Sequence, residues 1–216
     1  HITGGLGIVV VLASMFFGAI SGSSPATVVA IGAILYPALK EMNYADEYST
    51  GVVTASGSLG IIIPPSVTMI VYGTVTGASV GALFIAGFGA GVIYALMYIL
   101  YTYFYAKKHT EIRRPPKASW KERGIALKEA AWGLGVPVII LGGIYGGIFT
   151  PTEASAVAVI YALFVSTLVY RELNIKRLLD VIYRSAVSTV QIMILMAGAC
   201  VFSWILTSEG ITVRVA

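Results

Sequence analysis

Charged residues, cysteine and histidine are scarce in this sequence of 216 residues. Only 11% of the residues are charged and 57% are hydrophobic, whereas a typical soluble domain carries about 25% charged residues. The single cysteine, Cys200, cannot form an internal disulfide, and two histidines are too few for a His-rich metal site. The net charge of +4 is small. These absences exclude a soluble globular domain, a disulfide scaffold, a zinc protein and a nucleic-acid-binding protein.

The few charges divide the chain into four apolar blocks. These blocks are residues 1–39, 48–106, 130–170 and 185–208. A helix that spans the lipid bilayer needs about 20 mostly apolar residues, so the second and third blocks can each hold two spans and the last block one. We therefore predict an all-α integral membrane protein, built as a polytopic helical bundle. Because the hydrophobic sequence is already running at residue 2, we expect the chain to be part of a longer protein.

Basic residues cluster in two segments between these blocks. Residues 107–128 contain eight Lys or Arg against two Glu, and residues 170–184 contain four against two acidic residues. The positive-inside rule predicts that both segments face the cytoplasm, which agrees with the two spans between them. We predict a basic cytoplasmic loop at residues 107–129, with Pro115 and Pro116 in a non-helical stretch. A lipid-headgroup site is the alternative role for its charge.

The first block contains a segment that cannot continue as a regular helix. Residues 18–27 read Gly-Ala-Ile-Ser-Gly-Ser-Ser-Pro-Ala-Thr. Gly22 frees the backbone, Ser24 can cap the next helix, and Pro25 suits the first helical position. We therefore predict a first interruption at residues 21–25, where hydroxyl groups and unpaired carbonyl oxygens gather.

The second block contains a second interruption, which we predict at residues 63–66. Pro64 and Pro65 remove two backbone donors and push the preceding residue out of the α region. Irregular backbone at membrane depth persists only where it is buried in protein or lines a cavity. Transporters use such discontinuous helices, whether broken or re-entrant, as ion and substrate sites.

The two interruptions allow a structural and a functional interpretation. Proline kinks and serines bonded to their own backbone are common in membrane helices. Two polar, glycine-bearing interruptions within uncharged sequence instead favour a site made of hydroxyl and carbonyl oxygens, which suits sodium better than zinc or copper. We predict a sodium site whose ligands are Ser21, Gly22, Ser23, Ser24 and Gly60.

Glu153 is the only acidic residue within an apolar block. Together with Thr150, Pro151 and Thr152 it matches a capping box, in which Glu153 reaches back to the N–H of Thr150. An acidic residue in a membrane segment is also a functional candidate by default. Thr150, Thr152 and Glu153 therefore form either a helix cap alone or a cap that also couples to a proton or cation. No pair of nucleophile and base occurs, so we predict that the protein is not an enzyme.

Several short motifs follow one another in a single order along nearly the whole chain. They are Gly-Ala-Ile-Ser-Gly-Ser-Ser-x-Ala-Thr at residues 18–27, Leu-Gly-x-x-Ile-Pro-Pro-Ser at 59–66, Leu-Phe-x-Ala-Gly at 83–87 and Gly-Ile-Phe-Thr-Pro-Thr-Glu-Ala at 147–154. In this order they resemble the large permease subunit of the tripartite ATP-independent periplasmic (TRAP) transporters.

The resemblance implies a multi-pass permease of the bacterial or archaeal inner membrane. Such a permease works with a small membrane subunit and a periplasmic substrate-binding protein. It imports carboxylated solutes such as C4-dicarboxylates, other organic acids or sialic acids, driven by sodium, through an elevator-like movement. Secondary transporters commonly contain inverted repeats. We therefore assign residues 1–106 to a first repeat and residues 130–216 to the incomplete start of a second.

A carboxylated substrate needs compensating positive charge at membrane depth. No Lys or Arg lies in the four apolar blocks, so this charge must come from helix N-termini, each worth about half an elementary charge, or from the bound cation. An Arg outside this sequence is the alternative source. We predict that the substrate faces a set of helix-start residues, namely Ser24, Pro25, Thr27, Pro64, Pro65 and Ser66.

A channel-like or structural membrane subunit without coupled transport is the alternative function. A selectivity ring repeated by oligomerisation would require only one interruption per chain. Two unlike interruptions therefore favour a carrier.

The two basic segments provide a test of membrane orientation. Cysteines introduced at Ser119 and Asn174 of the full-length protein should not react with an impermeant maleimide added outside intact cells, because both segments are predicted to be cytoplasmic. Both should react once the membrane is opened. Labelling of either site before opening would overturn this orientation.

Overall fold

A computed structural model of the protein describes residues 2–113 and 119–210. Within those residues the regular structure is entirely helical. The helices in chain order are α1 (Gly5–Ser21), α2 (Ser24–Glu41), α3 (Asp46–Gly57), α4 (Leu59–Ile62), α5 (Val67–Thr76), α6 (Val80–Lys108), α7 (Trp120–Tyr145), α8 (Pro151–Phe164), a π-helical turn (Val165–Val169) and α9 (Ile175–Ser208).

Within residues 2–113 and 119–210, five helical segments are long and apolar enough to cross a membrane, when α3 to α5 are taken as one segment and α8 is taken together with the π-helical turn. The predicted all-α membrane architecture with discontinuous helices is therefore confirmed. The chain divides into two units, His1–Tyr161 and Ala162–Ala216, and each is described separately.

Helix α1 of the first unit runs parallel to α3. Near the start of both helices, a Cβ placed on Gly7 would lie 2.6 Å from the Tyr48 hydroxyl. Two helical turns further on, the hydroxyl oxygens of Ser14 and Ser56 lie 2.9 Å apart, and both side chains are fully buried. Paired hydroxyls satisfy each other in an apolar interior, so this contact fixes the register of the two helices.

Helix α2 runs antiparallel to α3 and returns towards the start of that helix. Val28, near the beginning of α2, packs against Gly57 at the end of α3. At the other end of α2, Lys40 forms an ion pair of 2.6 Å with Asp46, which begins α3. Helices α1 and α2 therefore form a hairpin, with the first interruption at its tip.

The helix lengths indicate a re-entrant hairpin, whereas α3 to α5 together and α6 are each long and apolar enough to cross a membrane. Helix α1 has 17 residues, about 25 Å, which is shorter than a hydrocarbon core of about 30 Å. Helix α5 adds 10 residues beyond the second interruption, so α3 to α5 can reach the far side. The 29 residues of α6 then return antiparallel, with Thr102 accepting a hydrogen bond of 2.8 Å from the Tyr48 hydroxyl.

The main core lies between the hairpin, α3, α4 and α6. Its fully buried members include Val10, Val11, Leu39 and Leu59. Large apolar side chains such as Val29 point outward instead, as expected where a helix meets lipid or other parts of a longer protein. The hairpin tip is thus held from one side by a packed core.

Helices α7 and α8 pack on one another through a smaller core of Ile140, Ala154 and Ala158. The Tyr161 hydroxyl adds a hydrogen bond of 2.9 Å to the Trp132 carbonyl.

The second unit contains the π-helical turn and α9. Asn174 caps α9, since its side chain accepts a hydrogen bond of 2.9 Å from the Arg177 N–H.

The boundaries predicted for the cytoplasmic segment at residues 107–129 do not coincide with helix ends, and its placement in the cytoplasm stays a prediction. Helix α6 continues through Lys108, and α7 already begins at Trp120, so the last ten of these residues are helical. The reason is local, because Ser119 and Glu122 form a capping box that starts α7 before its charged residues. The predicted non-helical Pro115 and Pro116 lie outside the described residues. The basic segment at residues 170–184 is also partly helical, because its residues from Ile175 onward belong to α9.

The re-entrant hairpin predicts an unusual labelling pattern. In full-length protein with Cys200 replaced by Ser, cysteines at Thr3 and Glu41 should react with an impermeant maleimide from the same side, because the hairpin does not span the bilayer. A cysteine at Thr76, at the end of α5, should react from the opposite side. Reaction of Thr3 and Glu41 from opposite sides would show that α1 and α2 together cross the membrane.

Candidate cation and substrate site

The first interruption is a tight turn of polar backbone and hydroxyl groups. Helix α1 ends at Ser21 and is capped by Gly22, whose φ of +61° is a left-handed conformation that favours glycine. Ser23 is extended, and its carbonyl accepts hydrogen bonds from the N–H of Thr27 at 3.1 Å and from the Thr27 hydroxyl at 2.8 Å. The Ser21 hydroxyl lies 3.1 Å from the Thr27 hydroxyl. Three oxygen atoms from Ser21, Ser23 and Thr27 are therefore clustered at the tip.

The second interruption joins α4 to α5 through Pro64 and Pro65, whose shared peptide bond is cis. Ser66 caps α5, and its fully buried hydroxyl donates a hydrogen bond of 2.8 Å to the Ile61 carbonyl. Pro64 has no N–H, so the carbonyl of Gly60 lacks the donor that a continuous helix would supply from four residues further on. A carbonyl oxygen is thereby left available for another partner.

The two interruptions pack directly against each other. A Cβ placed on Gly60 would lie 2.6 Å from the Thr27 hydroxyl and 2.8 Å from the Ser23 carbonyl oxygen. The N–H of Val67, which begins α5, donates a long hydrogen bond of 3.5 Å to the carbonyl of Gly22. The polar groups of both interruptions therefore form one site, built from segments about forty residues apart in sequence.

Four helix ends meet at this site. Helices α1 and α4 end here, and their last carbonyl groups carry partial negative charge. Helices α2 and α5 begin here, and their first N–H groups carry partial positive charge. The arrangement can therefore coordinate a cation through carbonyl and hydroxyl oxygens and can also attract an anionic group to the helix starts.

Most of the residues that we predicted as cation ligands lie at the contact between the two interruptions. Of the predicted cation ligands, Ser21, Gly22, Ser23 and Gly60 are brought together. Ser24 is the first residue of α2, so the expected cap at Ser24 is wrong and Ser23 occupies that position. The capping position shifts because Ser23 already has the extended backbone that precedes a helix.

The residues that we predicted to face the substrate lie in different surroundings. Pro25 is exposed in the first turn of α2, whereas Pro64 and Ser66 are buried at the second interruption. Pro65 is half-buried. Its carbonyl oxygen would lie 3.0 Å from a Cβ placed on Gly22. Thr27 is fully buried, with its hydroxyl bonded within the oxygen cluster.

Sequence reasoning did not find two contributors to this region. One is Gly18, which approaches the backbone of Gly60. The other is the buried pair of Ser14 and Ser56, which holds the hairpin against α3. The small residues at positions 14 and 18 of α1 were the available signal, since they lie on one face of a helix.

Glu153 belongs to a separate motif at the start of α8. Its carboxylate accepts hydrogen bonds of 2.8 Å from both the N–H and the hydroxyl of Thr150, and its own N–H donates to the Thr150 hydroxyl at 3.3 Å. Thr152 is exposed beside them. The capping box expected from the sequence is thus present, and whether these residues also couple to a cation stays a prediction.

Comparison with known proteins gives a consistent result. A family model described as "Tripartite ATP-independent periplasmic transporter, DctM component" matches residues 1–216. The ectoine/5-hydroxyectoine TRAP transporter large permease protein of Ruegeria pomeroyi is 41% identical over 207 residues, which are 96% of this chain and 48% of that protein. The C4-dicarboxylate TRAP transporter large permease protein of Pseudomonas aeruginosa is 43% identical over 216 residues, which are 100% of this chain and 50% of that protein.

A third relative carries a different substrate in its name. The isethionate TRAP transporter permease protein of Oleidesulfovibrio alaskensis is 41% identical over an alignment of 218 positions that covers 99% of this chain and 34% of that protein. The chain therefore spans about half the length of the first two relatives and about a third of this one.

The capping box predicts different effects for two substitutions at Glu153. Glu153→Ala removes the acceptor for the Thr150 N–H and should lower the Tm of the purified full-length protein by on the order of a few degrees. Glu153→Gln keeps an acceptor oxygen and should leave both the Tm and uptake near wild type. Loss of sodium-dependent uptake in Glu153→Gln, with normal Tm, would instead assign Glu153 a coupling role.

Proposed function

The chain belongs to the DctM-component family of tripartite ATP-independent periplasmic transporters, and we propose that its protein is a sodium-coupled permease that imports organic anions. Members of this family are permease components of a transporter and not enzymes. The apolar helices and the family agree with a multi-pass protein of the bacterial inner membrane. The observation that carries the proposal is the contact between the two interruptions, because it combines cation ligands and helix N-termini in one site.

A cation at this site is supported by the chemistry of the oxygen cluster. The hydroxyls of Ser21 and Thr27 and the carbonyls of Ser23 and Gly60 are neutral oxygens, and hard cations prefer oxygen ligands. The C-terminal ends of α1 and α4 add partial negative charge without any ionised side chain. Such a weak field suits a monovalent ion such as sodium, as in other transporters with discontinuous helices.

An anionic substrate group is supported by the starts of α2 and α5. An unpaired carboxylate at membrane depth would cost many kcal/mol, and no Lys or Arg lies within the apolar blocks to compensate it. The N-termini of α2 and α5 supply partial positive charge, and the neighbouring cation supplies the rest.

The named substrates of the relatives broaden the proposed substrate class. Ectoine and C4-dicarboxylates carry carboxylate groups, whereas isethionate is a sulfonate. The feature they share is an organic acid group. The partial positive charge at the two helix starts would attract a carboxylate and a sulfonate alike. We therefore propose an organic anion as substrate, with carboxylated solutes as the first class to test. The selective contacts would then come from parts of the protein beyond this chain.

The proposed partners follow from the same family. A small membrane subunit would complete the complex, and a periplasmic binding protein would deliver the substrate. The substrate would move by an elevator-like displacement of the domain that carries the hairpin.

Linkage between sodium and substrate tests the proposed function. Substrate affinity of the purified full-length complex should be higher at high sodium than in choline, because the cation supplies positive charge to the anion. By reciprocity, the substrate should tighten sodium binding by the same factor. Titration calorimetry measures both quantities. Equal substrate affinities in sodium and choline would show that fixed protein charge holds the anion and would reject the proposal.

Two matched substitutions test the location of the cation. Thr27 and Thr74 both donate hydroxyl hydrogen bonds of 2.8 Å to the carbonyl four residues earlier, but only Thr27 belongs to the oxygen cluster. Thr27→Val should raise the sodium concentration for half-maximal uptake about tenfold if one lost ligand costs about 1.4 kcal/mol. Thr74→Val should leave it unchanged. Equal effects of the two substitutions would remove Thr27 from the cation site.

A further inference from the structure

One face of α1 packs closely against the neighbouring helices along its length. Gly7 lies against Tyr48 and Thr102, Ser14 is bonded to Ser56, and the last contact before the tip is made by Gly18. These positions are separated by seven and four residues, so they share one side of the helix. The hairpin arm is therefore seated closely against α3, α4 and α6 up to the first interruption.

The contact of Gly18 differs from the others because it involves backbone on both sides. A Cβ placed on Gly18 would lie 2.8 Å from the Cα of Gly60 and 3.1 Å from its nitrogen. Optimal separation between carbon atoms is about 3.5–4.0 Å, so even one methyl group requires α1 and α4 to separate by about 0.7 Å or more. No side chain can rotate away to relieve this contact.

Gly60 transmits the spacing to the oxygen cluster. Gly60 also contacts the first interruption, since a Cβ placed on it would lie 2.6 Å from the Thr27 hydroxyl and 2.8 Å from the Ser23 carbonyl oxygen. Gly18, Gly60 and the Ser23–Thr27 turn are thus stacked in direct contact. A displacement of α4 relative to α1 therefore changes the distance between Gly60 and the oxygen atoms of Ser23 and Thr27.

We propose that Gly18 is a positioning residue for the cation site: its contact with Gly60 sets the separation of the two interruptions and thereby the affinity for sodium. Gly18 has no side chain to offer as a ligand, so it acts only through this spacing. The inference rests on the proposed function for the identity of the ion. Because ligands must be held to within about 0.5 Å of their productive geometry, the displacement caused by one methyl group is large enough to matter.

The test compares Gly18→Ala and Gly18→Val with Gly51→Ala in the full-length complex reconstituted in liposomes. Gly51 is a helical glycine of α3 with no atom within 4 Å of its ideal Cβ, so it controls for the general effect of replacing glycine in a helix. Gly18→Ala should raise the sodium concentration for half-maximal uptake about tenfold, and Gly18→Val should raise it further. The maximal rate at saturating sodium should change less. Gly51→Ala should match wild type in both quantities.

A second measurement reports the spacing without any transport. Spin labels at Ile20→Cys and Ile61→Cys, both partly exposed, flank the contact in protein with its native cysteines replaced. Dipolar broadening of the EPR spectrum should decrease in Gly18→Ala and remain unchanged in Gly51→Ala. This readout detects movement of the two interruptions even if a variant transports poorly.

The outcomes separate the inference from the proposed function. Decreased broadening together with weaker sodium activation supports the positioning role. Unchanged broadening in Gly18→Ala, or decreased broadening with an unchanged sodium requirement, overturns it while leaving the proposed function standing. Uptake by the wild-type complex that is independent of sodium rejects the proposed function itself, and the inference about sodium with it.

Discussion

A backbone N–H or C=O at membrane depth must find a polar partner, and the described structure depends on how this requirement is met at two points. Glycine and proline end the helices at residues 21–25 and 63–66, where continuous helices would otherwise satisfy every group. The freed groups lie where the two interruptions contact each other. They are placed against one another by the re-entrant hairpin, whose tip reaches the level of the second interruption. Close packing of α1, α3 and α6 follows from the need to enclose these groups.

The parts of this fold that could be predicted from sequence depend on local chemistry. Pro64 and Pro65 cannot continue a helix in any environment, and Gly22 adopts a left-handed conformation that few other residues accept. The cap formed by Thr150 and Glu153 likewise depends on four consecutive residues. Such features are determined by a few neighbouring residues and therefore do not depend on contacts with the rest of the chain.

The parts that could not be predicted depend on residues far apart in sequence. The contact between Gly18 and Gly60 arises because small side chains on two helices face each other, and no periodicity in one helix reveals its partner. A cluster of basic residues near Trp120 does not by itself distinguish a loop from a helix. Lys, Arg and Glu are good helix formers, so a capping box at Ser119 was enough to begin α7 ten residues earlier than expected.

The arrangement of helix ends explains why such a site would bind a cation and an anion cooperatively. The carbonyl ends of α1 and α4 are brought together by the contact of Gly18 with Gly60, and like partial charges at close range repel one another. The same holds for the N–H ends of α2 and α5. A cation among the carbonyls relieves the first repulsion and an anion at the helix starts relieves the second. Each ion also attracts the other across a low-dielectric space, where Coulomb interactions are strong. Under the proposed function, coupling of the two ions would follow from the backbone geometry and would require no ionised side chain from this part of the chain.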